Sequence, residues 1–183
     1  MKKLKKGILF GLICLAIIWA MMMISVIFQL HWGIVPRELS MRSLVGILLC
    51  PVMHEGFGHI LANSIPLFVL TATLMVNYPK LTIKVMFLSI VMGGSLVWIL
   101  GRGNAVHMGA SGLIFAMIGF LIFNVAFRKD WKSFAIAVGI GFIYGSSLLG
   151  IFPSNPHVSW EGHLFGLLSG IYLAFLFRKS PSG

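Results

Sequence analysis

The sequence predicts an all-α polytopic membrane protein, folded as a single domain over residues 1–183. Composition is the first observation that predicts this: apolar residues fill 58% of the 183 positions and charged residues only 10%. The second is the grouping of the apolar residues into six long runs. A run of about 18 or more can cross a bilayer as a helix, which satisfies its own backbone bonds in hydrocarbon. The third is the placement of the cations. If the spans alternate, one side holds Lys2, Lys3, Lys5, Lys6, Lys80, Lys84, Arg128, Lys129, Lys132, Arg178 and Lys179, and the other only Arg37, Arg42 and Arg102. Eleven against three is a positive-inside bias that puts both termini in the cytoplasm. Topology thus accounts for the net charge of +10, and a nucleic-acid partner is not called for.

The first span is read over 7–30. Its start, MKKLKKGILF, has the charge layout of a signal peptide, but an apolar core of 24 residues is long for one and no small-residue cleavage site follows. It reads as a retained helix of about 36 Å, enough to span with some tilt. His31 and Trp32 mark its outer end, where amphipathic rings favour the interface. An external loop over 31–55 leads to a second span over 56–76, whose outer end carries His54, Glu55, His59 and Asn63. The third span, 81–100, is almost wholly apolar. The fourth, 108–127, opens with GASG, and the fifth covers 134–152. The sixth, 162–177, follows the stretch WEGH. Cys14 in a span and Cys50 in the loop are not placed to form a disulfide and read as small buried hydrophobes.

Polar groups inside a membrane are costly and mark function. Here the second, fourth and sixth spans all bring polar beginnings to the outer side, which predicts one shared outward cavity. HEGFGHILAN nearly spells the zinc signature H-E-x-x-H, but His54 and His59 are five residues apart, about 140° around a helix. They converge only if the helix begins between them. The sole aspartate, Asp130, falls on the cytoplasmic side, so no third carboxylate ligand is at hand and no metal is expected. His59 and Asn63 do share a face, at i and i+4. Two donors at a cavity mouth suit a developing oxyanion; taken alone, they read more readily as hydrogen-bonding glue between helices.

The fourth span tips that balance. Ser111 lies between Gly109, which permits a tight turn, and Gly112, which permits close helix approach. The N–H groups of a helix start favour negative charge there. GxSG alone also fits a packing motif. A serine nucleophile needs a base, and the sixth span offers His163. Behind it, Gly166 and Gly170 form a G-x-x-x-G face for close contact with the fourth span. The result is a Ser–His dyad, with the activation logic of a catalytic triad but no carboxylate.

Together these segments resemble the rhomboid family of intramembrane serine proteases. HEGFGHILAN is similar to the family's H-x-x-x-x-H-x-x-x-N, GASG to its G-x-S-G, and HLFGLLSG to its H-x-x-G-x-x-x-G. WGIVPRELSMRSLVGILLCPVMH resembles its first external loop, lying in the outer leaflet beside the body. The resemblance implies a six-span rhomboid-like bundle, with Ser111 as nucleophile and His163 as base. It implies an oxyanion hole of His59, Asn63 and the Ser111 N–H, and a transmembrane protein substrate cut near the outer face without a cofactor. The protein would then be a multi-pass component of a bacterial cell membrane. Phe115 stands where many members carry a tyrosine stacked on the base, and a phenyl ring can still stack. Glu161 could raise the basicity of His163; the favoured reading makes it and Glu55 solvated loop residues or helix-start charges.

Three histidines and two competing functions complete the expectation. His107 is a rival base by proximity but reads as a structural loop residue, because a base must be fixed in orientation. His157, after Pro156, reads as solvated, and His54 as holding the start of the second span through a bond within the external loop. The competing functions are an inactive rhomboid-like binder of membrane clients, which would lack the serine or the base, and a small transporter or proton relay using the histidines, which would spread polar groups through the membrane depth.

Overall fold

The computed structural model describes residues 1–153 and 158–181, so His157 lies outside the described residues. Helix α1 runs over Lys2–Phe28, α2 over Met41–Leu49, α3 over Phe57–Asn77 and α4 over Thr82–Leu100. Then follow α5 over Ser111–Arg128, α6 over Trp131–Tyr144 and α7 over Trp160–Leu176. No sheet forms among the described residues; one isolated bridge pairs Ile34 with His107. The molecule is an all-α polytopic bundle.

Four helices, α1, α3, α4 and α5, are long and apolar enough to cross a membrane. The expected fifth and sixth spans are present as helices but shorter than that measure. α6 has 14 residues and α7 has 17, about 21 and 26 Å of helix against a hydrocarbon core of about 30 Å. The expectation of helix to residue 152 is corrected here. After Tyr144 the weak helix formers Gly145, Ser146 and Ser147 tighten the chain into a 3-10 helix over Ser146–Ile151. Phe152 is then extended, as the residue before a proline must be. The helix of the expected fourth span, α5, also starts later than expected, at Ser111 itself.

α5 is the centre of the bundle: Ile114 through Leu121 are buried without a break, so it is apolar on every face. α7 lies along it in parallel. A side chain at Gly166 would collide with the Gly112 carbonyl, and one at Gly170 with the Ala116 carbonyl. At Gly119 a Cβ would come within 2.6 Å of Leu167 O. The small-residue face foreseen in the sequence therefore brings two backbones into contact. α1 packs antiparallel on α3, with Gly7 against Ala72 and Val76 and Gly11 against Phe68.

The external loop folds beside the body. Ser40 caps α2, accepting from Ser43 N at 3.1 Å, and Ile34 exchanges two backbone bonds with His107 at 2.8 and 2.9 Å. Leu39 and Met41 project outward, 79% and 75% exposed, as apolar residues facing lipid would. Cys14 and Cys50 are both free.

Candidate active site

α3, α5 and α7 all begin at one end of the bundle and open onto a cavity of about 620 Å³. His59, Asn63, Ser111, Phe115 and His163 line it, together with Glu55 and Arg102. The shared polar cavity read from the sequence is present.

Ser111 is the first residue of α5, so the N–H groups of its turn have no partner within the helix. Two amides just before it are already engaged. Gly109 N donates to Cys50 O at 2.9 Å, and Ala110 N donates to His54 Nε2 at 3.4 Å. Gly109 itself takes φ +117°, a left-handed conformation that favours glycine. A Cβ there would also sit 2.6 Å from the His59 ring, so this glycine lets His59 close onto the serine turn.

His163 is held on two sides. Its Nδ1 lies 2.9 Å from the Gly150 carbonyl, which can only accept, so Nδ1 carries the proton and Nε2 keeps a free lone pair. Phe115 stacks on the ring, centroids 4.2 Å apart and planes 3° apart. No hydrogen bond joins the Ser111 hydroxyl to His163, although both line the cavity; such bonds tighten when substrate arrives.

Asn63 is buried, and its Nδ2 donates to His59 O at 3.1 Å. An amide nitrogen has two hydrogens, of which this bond uses one, and Asn63 lines the cavity. His54 and His59 do converge, because α3 begins between them at Phe57, and their rings meet edge to face at 5.1 Å. No three metal-binding side chains gather among the described residues.

Two expectations about the surrounding residues change, those for His54 and Glu161. His54 Nε2 accepts from the Ala110 amide in the turn before α5, a partner beyond the external loop; within that loop the Val52 backbone also acts on the ring. Burial, helped by the neighbouring His59, pushes its imidazole down to about 4, which keeps Nε2 an acceptor. Glu161 is not solvated: it is 2% exposed and stands 3.3 Å from Arg102 Nε, in the first turn of α7 where the helix dipole also favours it. Glu55 is exposed, as expected. His107 is buried, with Nδ1 2.6 Å from Ser159 Oγ, and belongs to the framework of the loop. The sequence carries no signal for Gly150, since a backbone carbonyl acts through position alone.

Residues 41–180 match the family model described as "Rhomboid domain". The chain belongs to the rhomboid family. An uncharacterized protein of Mycobacterium leprae is 37% identical over 149 residues, 76% of this chain and 59% of that one. The Bacillus subtilis protein named "Putative rhomboid protease YdcA" is 31% identical over 70% of this chain and 65% of its own length. An Arabidopsis thaliana protein named "RHOMBOID-like protein 1" is 29% identical over 74% of this chain and 35% of its own. This rhomboid chain thus spans about six-tenths of the length of the first relatives it matches. It is a multi-pass integral membrane protein.

Proposed function

We propose that this rhomboid chain is a serine endopeptidase that cuts transmembrane protein substrates near the outer face of a cell membrane, with both its termini in the cytoplasm. One observation carries the reading: His163, its tautomer set by Gly150 and its plane by Phe115, shares a cavity with a serine at a helix start.

In this mechanism Nε2 of His163 takes the Ser111 proton as Oγ attacks the scissile carbonyl. The oxyanion meets the Ser111 N–H, the second Nδ2 hydrogen of Asn63 and the His59 ring. His163 then protonates the leaving amine, and water, activated by the same imidazole, hydrolyses the acyl-enzyme. The Gly150 carbonyl orients the base as a triad carboxylate would, but without a charge to stabilise imidazolium. Both reacting groups are present, which favours an enzyme over an inactive client binder.

A fluorophosphonate should label purified protein at Ser111. Ser111→Ala and His163→Ala should each abolish labelling and cleavage, and the double variant should be no worse than either, because the pair acts as one unit. Folded wild-type protein that binds membrane clients but neither labels nor cuts would establish the binder instead.

A further inference from the structure

We propose that Arg102, His107, Ser159 and Glu161 form a clasp that positions the base, fixing the start of α7 against the loop that delivers Ser111; the inference rests on the protease reading above. Arg102 and His107 belong to the segment between α4 and α5, and Ser159 and Glu161 to the first turn of α7 and its cap. The Arg102 amide donates to Glu161 Oε1 at 3.3 Å, and its guanidinium approaches the same oxygen at 3.3 Å without the alignment of a hydrogen bond. The other end of the guanidinium donates to Val158 O at 2.7 Å. His107 reaches Ser159 Oγ at 2.6 Å, and that oxygen also accepts from Gly162 N at 3.3 Å, capping α7.

Glu161 is not the missing acid of a triad. Two residues apart on a helix are about 200° apart, so Glu161 faces the loop while His163 faces the cavity. The ring nitrogen a triad acid would hold is already taken by Gly150. What Glu161 supplies is register. A carboxylate buried to 2% exposure is tolerated only where its cation and amide partners sit, since an unpaired buried charge is strongly unfavourable. One turn of α7 thus locks to the Ser111 loop through one face and presents the base on the other. Small misplacements of a reacting group cost large factors in rate, which gives the lock a catalytic consequence.

The test measures fluorophosphonate labelling of full-length protein in detergent, separating the maximal inactivation rate from inhibitor affinity, with the folded fraction taken from thermal unfolding. Arg102→Ala, Glu161→Gln and Ser159→Ala should each lower the maximal rate per folded molecule on the order of tenfold to a hundredfold, at unchanged affinity. Ser159→Thr, which keeps the hydroxyl, should restore it. Ser159→Ala is mild enough to report even if the charge variants do not fold. Variants with lowered melting temperatures but wild-type rates per folded molecule would show packing alone and overturn the clasp. Wild-type protein that fails to label at Ser111 would instead overturn the protease reading, and the clasp's catalytic purpose with it.

Discussion

At the scale of single residues, Asn63 separates two uses of the same side chain. Its Nδ2 bond to His59 O, at 3.1 Å, is local to α3. Among the described residues the amide bonds no second helix, and Asn63 lines the cavity. Losing one oxyanion donor costs roughly 3–4 kcal/mol, or two to three orders of magnitude in turnover. Asn63→Ala should thus lower kcat by about that factor with KM and melting temperature nearly unchanged. A destabilised protein with full kcat in its folded fraction would sink the assignment. The sequence showed this pair because i and i+4 share a helical face. It could not show Gly150, whose carbonyl orients His163 at 2.9 Å, because no side chain reports where a carbonyl points. Nor did Arg102 stand out, since its partner Glu161 is 59 positions away and only the fold joins them.

Among the helices, the contact of α5 with α7 decides how Ser111 and His163 are placed about the cavity. Helix association in lipid has little hydrophobic drive and depends on close backbone packing. The G-x-x-x-G spacing announced this contact in the sequence, and the structure adds which glycines have no slack. At Gly170 a methyl group would overlap the Ala116 carbonyl, a backbone atom that cannot rotate away. At Gly112 the nearest obstacle is Gly162 O at 3.3 Å, and around Gly139 and Gly141 nothing lies within 4 Å. Gly170→Ala should therefore lower the melting temperature and labelling sharply, Gly112→Ala moderately, and Gly139→Ala not at all. Equal effects at the three positions, read by thermal unfolding in one detergent, would contradict the packing. Helix ends were less legible than faces: the passage from α6 to a 3-10 helix at Tyr144 turns on weak local preferences that an apolar run conceals.

Over the whole molecule, the two ends carry very different numbers of cations. At the site end Arg37 donates to Ile99 O and Gly101 O, Arg42 to His31 O and Arg102 to Val158 O. All three are committed to holding loops. At the other end Lys2, Lys3, Lys5, Lys6, Lys80, Lys84 and Lys129 are exposed. Arg37 and Arg42 are exposed as well, so the bias stands at eleven cations against three. The fold places both chain ends on that side. Gly7 of α1 packs near Val76 at the end of α3, and Arg128, closing α5, binds Phe177 O and Ser180 O beyond α7 at 3.0 and 2.8 Å. If this end is cytoplasmic, alkaline phosphatase fused after Lys179 should be inactive, because the enzyme needs an oxidising compartment for its disulfides. The same fusion placed after Gly103, in the loop at the site end, should be active. The reverse pattern would put Ser111 and its cavity at the cytoplasmic face, and substrates would have to be sought among segments exposed there.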